Sequence, residues 1–511
     1  MRIETPEGVV AGASSAGVPA VLIGHNDRIA WGFTTTGSDT QDLVAERLVD
    51  GDPTRYATPD GPRAFQTREE VIAVRGGDPV RMAVREGRFG PVVSDLPSAA
   101  AGTKPGTVLT LAWPALADDD TSADALVAVN HAQDWDDFTA ALERWVAPQQ
   151  NVFYADTAGH IGFYTPGRTP VRTDGDGSVP LAGEGLRQVW SGFIPFADLP
   201  HALDPAGGLL VNANNRIVGP DYPYLLSTDW EAPYRAERIQ SVLGNRQGLT
   251  AQDMVDLQHD DLSEVARDLL PLMLQAAPLD GIEARARDLL AAWDYRMDRD
   301  RPEPLLFQAW LFHLQDRLMA PLGPAAADLP RWNPTAVKAI LTGHRDWCAR
   351  TGQDCPGLLK QGLSLALAEL APPGSGAAKD LSQLRWGDHH RVHLANPIFG
   401  RIPWLAWATT TVLPTDGGNY TVNRATPSAS WDSRYQDVHG AGLRAVFDLA
   451  DLDASRFVIA GGQSGHPLSP HWADLAEAWR DGHTVRLVAP AEDEAERLVL
   501  RPLRREPEHA G

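Results

Sequence analysis

The chain has two cysteines in 511 residues, no long apolar run and no excess of positive charge. Each shortage excludes something. No stretch approaches the ~18 apolar residues that cross a bilayer as a helix, so a membrane-spanning helix is not expected. With 45 basic against 67 acidic residues the formal net charge is −22. That argues against a nucleic-acid or anionic-membrane surface, where a basic face supplies the attraction. The opening MRIETPEGVVAG has no positive segment followed by an apolar core and does not read as a secretory signal. Cys348 and Cys355 lie in WCARTGQDC with His344 close by, and no fourth ligand completes a metal site. A pair this close fits a small disulfide loop in an oxidising compartment; the bland alternative is two buried thiols in a cytosolic protein.

Self-contained catalytic signatures are missing too. GGQSGHP has the serine of a GxSxG elbow without its second glycine, and there is no HExxH, P-loop or dinucleotide fingerprint. His389 and His390 lack a spaced acidic partner, and no carboxylate pair stands out as an acid/base couple. The 16 tryptophans could line a carbohydrate cleft, but scattered tryptophan is more often core. No linker or fixed-period repeat divides the chain; the clusters Gly76–Pro79 and Pro372–Gly376 are short and turn-like. A composition of 43% hydrophobic and 22% charged residues is that of a globular protein.

What is present reads as strands, then helices, then strands. VPAVLIG and RIAWGF flank the turn HND, EEVIAVRGGDPVRMAV folds back at Gly76–Gly77, and NVFYADTAGHIGFYTPGR turns at Asp156–Gly159. Residues 123–146 have helical spacing, with Trp135, Phe138, Leu142 and Trp145 on one face. GGLLVNANNRI predicts a short apolar strand running into Asn212, Asn214 and Asn215. A Thr-x-x-Asp cap at Thr250 opens a helical region that extends to about Leu370. NYTVNR and RFVIAGGQ are strand-like again, and a final helix lies around Trp472–Trp479. This order predicts an undivided α+β layered core with a helical excursion over about residues 250–370.

Two loops carry possible chemistry. In IGHNDRIAWGFTTTGSDTQDL, Asp39 and Asp42 follow a short aromatic strand, and with an intervening carbonyl they offer a hard cation such as Ca²⁺ several oxygens. The plainer reading is turn and cap residues. The amides of NANN can donate to a developing oxyanion or simply close Asx-turns. Alone, each signal is weak.

Six segments together say more. IGHNDRIAWGFTTTGSDTQDL, QNVFYADTAGHIGFYTPGRTPVR, WSGFIPF, NANNRIVGPDYPY, PTDGGNYTVNR and GGQSGHPLSPHW, in this order, resemble the penicillin acylase family of N-terminal-nucleophile hydrolases. The likeness runs from about Gly12 to Trp479. It implies a four-layer αββα sandwich, read here as one β-chain-like unit incomplete at its N-terminus. Members of the family are made as one exported precursor that cuts itself into an α and a β chain. The new N-terminal serine is the nucleophile, its own α-amine is the base, and an acyl-enzyme forms on it.

Carried over by residue, the resemblance makes the Thr35 N–H and the Asn214 side chain the oxyanion donors, with Arg238 supporting the site. It makes Asp39, Asp42 and Asp229 calcium carboxylates, with the Gln41 carbonyl and Gly177 beside them. Ile23, Phe33 and Gln150 fall at acyl-pocket positions, and Gln150 is a polar departure that puts a purely aromatic acyl group in doubt. Paired Cys348 and Cys355 agree with a periplasmic or secreted setting.

The expected function is hydrolysis of a linear amide: a penicillin, an N-acyl-homoserine lactone or a related N-acyl compound. The family's serine, usually within Ser-Asn-x-Trp, and the α chain with its calcium glutamate have no counterpart in this sequence. Ser14 and Ser15 sit in a loop without a catalytic role in the family. The chain by itself is therefore expected to be inactive, and to work with an α chain from the same precursor or a neighbouring gene. The competing expectation is a truncated, inactive relative acting as a calcium-containing binding protein.

Overall fold

IAWGFTT and QNVFYAD are rich in aromatic and β-branched residues, and these two segments pair at the centre of a seven-stranded antiparallel sheet. The computed structural model describes residues 1–6, 8–96, 103–328 and 333–487. The strands that build the site are β1 (Arg2–Thr5), β2 (Gly8–Ala13), β3 (Ile23–His25), β4 (Ile29–Thr35), β5 (Asp42–Val49), β6 (Gln150–Asp156), β7 (Ile161–Tyr164), β8 (Pro170–Arg172), β9 (Trp190–Phe193) and β10 (His201–Leu203). The large sheet runs β1-β2-β3-β4-β6-β7-β10. Strand β5 leaves it for a second sheet, pairing antiparallel with Thr107–Ala112 and parallel with Leu181–Ala182. β8 and β9 form a two-stranded ribbon.

One face of the large sheet is apolar because Trp31, Val152 and Tyr154 point the same way, as paired positions in register must. Phe138 and Leu142 cover it, and all five side chains are buried. Each contributes roughly 1.5–3 kcal/mol by leaving water. The opposite face carries Gly32, Thr34 and Asn151.

The helix expected over 123–146 is two, α1 (Ser122–His131) and α2 (Trp135–Leu142). Side chains break it. Asn26 Nδ2 donates to the carbonyls of Asn130 (3.2 Å) and Ala132 (2.7 Å), and Asp134 caps α2 by accepting from the Asp137 N–H (3.0 Å). Trp145 lies beyond the helix and is still buried.

The helical region begins earlier than expected, at residue 234, and has a second large core of its own. It comprises α3 (Tyr234–Leu243), α4 (Ala251–Gln258), α5 (Glu264–Met273), α6 (Gly281–Ala291), α7 (Glu303–Met319), α8 (Pro334–Thr342) and α9 (Cys355–Leu370). Thr250 and Asp253 make the expected reciprocal cap of α4. Cys348 and Cys355 are disulfide-bonded at the start of α9, with Cα atoms 5.2 Å apart. The expected strands at Leu209–Val211 and 419–424 are irregular, and the strand beside the latter is Ala425–Pro427. Among the described residues no helix is long and apolar enough to cross a membrane.

Candidate active site

Strand β4 is the spine of the site. Strand β3 pairs with it only at Ala30 and Trp31, whereas β6 stays in register to Gln150↔Thr35. Among the described residues, the end of β4 is therefore paired along one edge only. The NANN loop meets this end. Asn214 Nδ2 donates to the Thr35 carbonyl (3.1 Å). Asn212 Oδ1 accepts from Thr34 Oγ1 (2.6 Å), the Asn214 N–H (2.9 Å) and Asn151 Nδ2 (3.3 Å). Asn151 also donates to Thr34 Oγ1 (3.1 Å) and accepts from Thr165 Oγ1 (2.9 Å).

This network explains why the loop is not a strand. Its backbone is tied to its own side chains, with the Ala213 N–H on Asn215 Oδ1 (3.0 Å), and Asn214 sits at φ 68°. Asparagine tolerates that left-handed conformation better than most residues.

Arg235, in the first turn of α3, fixes which end of Asn214 is the donor. Its Nη2 reaches Asn214 Oδ1 (2.9 Å) and the Ala213 carbonyl (2.7 Å). Burial, helped by the like charge of Arg424, pulls its pKa down to about 10, which leaves it charged at neutral pH. With Oδ1 bound, Asn214 presents an NH₂ group with one hydrogen on Thr35 and one without a partner among the described residues. Asn212 Nδ2 is likewise buried without a partner.

Arg238 does not join this network. One helical step of three residues carries it ~4.5 Å along the axis, and its guanidinium holds Asp260 (2.6 and 3.1 Å). The arginine at Asn214 is Arg235.

Asp39 and Asp42 do come together, around a cation the chain supplies itself. Arg172, at the end of β8, places Nε 3.0 Å from Asp42 Oδ2 and Nη2 3.0 Å from Asp39 Oδ1. Trp190 Nε1 donates to Asp42 Oδ2 (2.6 Å). Asp39 also accepts from the backbone of Gln41, and burial raises its pKa against the pull of Arg172. Gly177 passes so close that a Cβ there would lie 2.7 Å from both Arg172 Nη2 and Asp39 Oδ2, and its φ is +84°.

Asp229 approaches Gly37 through its carbonyl, 3.8 Å from where a Cβ would stand. Its residue lines a separate cavity of about 690 Å³ with Asn215, Arg216 and Arg424. Among the described residues no three His, Cys, Asp or Glu side chains cluster as metal ligands. The calcium ion implied by the resemblance does not fit this donor set. Both Asp42 oxygens already accept hydrogen bonds, and a hard cation needs six to eight oxygens at ~2.3–2.6 Å.

The three expected pocket residues do not share one surface. Phe33 and Gln150 lie on the face of Trp31, where Phe33 packs on Trp145 with ring centroids 5.7 Å apart. Ile23 sits one position beyond the Gly24↔Trp31 pair and so points to the opposite face, over Gly32. There it lines a cavity of about 290 Å³ with Leu443, Phe447, Phe457 and Ile459. That face also holds Thr34 and Asn151, so Ile23 rather than Phe33 is on the side of the amide network. Ser14 spends its hydroxyl on the carbonyls of Val18 (2.9 Å) and Ala20 (2.6 Å).

Sequence reasoning missed Arg172, Trp190, Arg235, Thr34, Asn151 and Thr165. Arg172, Trp190 and Arg235 meet partners 21 to 148 positions away, a separation no local spacing reveals. The first two do lie within segments that carry the family resemblance.

Comparison with known proteins agrees with that resemblance. Residues 1–495 match the family described as Penicillin amidase. The penicillin acylase 2 proenzyme of Pseudomonas sp. (strain SE83) is 33% identical over 92% of this chain and 60% of that protein. The acyl-homoserine lactone acylase QuiP of Pseudomonas fluorescens (strain Pf-5) is 29% identical over 94% of this chain and 61% of that protein. The chain thus spans about 60% of the length of these curated relatives. A thermostable penicillin G acylase from Alcaligenes faecalis superposes with a TM-score of 0.71 at 21% identity, covering 98% of this chain and 94% of that one. At that identity the likeness carries the fold, which is that of an N-terminal-nucleophile hydrolase.

Proposed function

The chain belongs to the penicillin amidase family, and from that premise we propose that it supplies the oxyanion-binding part of a hydrolase acting on a linear N-acyl amide. A penicillin or an N-acyl-homoserine lactone, the compounds named in its relatives, would be of the right class. The observation that carries the proposal is the Asn214 amide, oriented by Arg235 and holding one donor hydrogen in reserve beside Thr35. A donor fixed before the reaction stabilises the tetrahedral intermediate without reorganising, worth on the order of 3 kcal/mol. The Thr35 backbone N–H, at the half-paired end of β4, is the second donor.

In this reading the nucleophile is the family's N-terminal serine with its own α-amine as base, contributed by polypeptide outside these 511 residues. The substrate carbonyl stands between that serine and Asn214. Attack puts negative charge on its oxygen, Asn214 and Thr35 hold it, and collapse expels the amine. Water then releases the acid. The chain by itself does not turn over. It works with an α chain from the same precursor or a neighbouring gene, and the Cys348–Cys355 disulfide supports a periplasmic or secreted setting.

The test is to express the complete coding region, sequence the N-termini of the purified protein and assay release of free amine from penicillin G and from N-acyl-homoserine lactones. Two chains, one beginning with serine, and amine release from at least one substrate are expected. A single chain beginning at Met1 that releases no amine would overturn the proposal.

A further inference from the structure

The Asp39–Asp42 loop contains its own counter-charge. Arg172 is only 4% exposed in its side chain and Asp42 1%, and their contact is 3.0 Å through Nε. The same guanidinium reaches Asp39 twice through Nη2, at its carboxylate (3.0 Å) and at its carbonyl (3.2 Å). Trp190 occupies a remaining lone pair of Asp42. A divalent ion would have to evict a buried guanidinium and an indole N–H, and would leave that guanidinium buried beside it.

We infer that Arg172 is the cation of this loop, and that the protein closes the loop without calcium. The inference does not depend on which amide the enzyme cleaves. Its physical basis is exclusion. Arg172 and Trp190 already take acceptor positions on Asp42 that a divalent ion would need, and a +2 ion placed beside the buried +1 guanidinium adds like-charge repulsion to the cost of displacing them. Gly177 adds a steric element: its missing Cβ is the space that Arg172 Nη2 and Asp39 Oδ2 fill. β8 and β9 carry Arg172 and Trp190 respectively, so this two-stranded ribbon is the device that delivers both donors to the start of β5.

The experiment measures calcium in the assembled protein by plasma emission after gel filtration in calcium-free buffer, with melting curves in EGTA and in millimolar calcium. Well under one calcium per chain and a melting temperature that neither reagent moves are expected. Arg172→Met strips the loop of its cation and should lower the melting temperature by about 5 °C or more. Added calcium should restore part of that loss in the variant alone. One calcium per chain in the wild type, with a fall in melting temperature in EGTA, overturns the inference, and so does an Arg172→Met protein that melts like the wild type. The wild-type calcium content decides the matter even if the variant does not fold.

Discussion

Two polar clusters flank the end of β4, and they are built on opposite terms. In the carboxylate cluster of Asp39, Asp42, Arg172 and Trp190 the charges are paired, Arg172 and Asp42 are buried, and each Asp42 oxygen already accepts from a neighbour, although Arg172 Nη1 has no partner among the described residues. The amide cluster of Asn212, Asn214, Asn151 and Thr34 is neutral, held at a left-handed asparagine, and keeps donors without partners among the described residues, one hydrogen at Asn214 and the buried Nδ2 of Asn212. A cluster that fixes a loop pairs its charges, because an unpaired buried charge costs several kcal/mol. A cluster that meets a charge appearing only in a reaction keeps a donor in reserve. On the proposed reading, the first cluster serves stability and the second chemistry.

That contrast can be broken at three points. The largest effect is expected from Asp42→Ala, which leaves Arg172 buried with a partner lost and should cost about 3–5 kcal/mol in urea unfolding. A loss below 1 kcal/mol would mean that the carboxylate cluster is not structural. Next, Asn214→Ala in the assembled enzyme should lower kcat by ~100-fold or more, with the fold kept but an unfolding free energy lower by about 1–3 kcal/mol, since alanine is strained at this left-handed position and Arg235 loses an acceptor. Near-normal turnover would remove Asn214 from the oxyanion site. The smallest effect is Arg235→Lys, which keeps the charge and loses the planar fork that grips Asn214 and Ala213. It should lower kcat by roughly 10-fold with little change in KM. A rise in KM alone would make Arg235 a ground-state binding residue instead.

How much of this was legible beforehand differs element by element. The hairpins at HND, Gly76–Gly77 and Asp156–Gly159 and the cap at Thr250 were readable, because each signal lies within a few residues of what it controls. The break between α1 and α2 was not, since half of its cause is Asn26, more than 100 positions away. YRAERI points to Arg238, and only the docking of α3 against the NANN loop shows that Arg235 is the arginine that meets Asn214. The surroundings of Asp39 and Asp42 were hidden for the same reason: both aspartates are visible in the chain, but the guanidinium between them arrives from a different ribbon.

By itself, then, the sequence determined the α+β order of elements, the family and the two polar loops, one after β4 and one after β10. These depend on local periodicity and on ordered motifs that any single chain displays. Only the tertiary structure decided which arginine orients Asn214, which cation lies between Asp39 and Asp42, and that Ile23 and Phe33 face opposite ways. Those outcomes depend on strand register and on contacts between distant segments. A shift of one residue along a strand, or of three along a helix, reassigns every partner without altering the pattern that predicts the element.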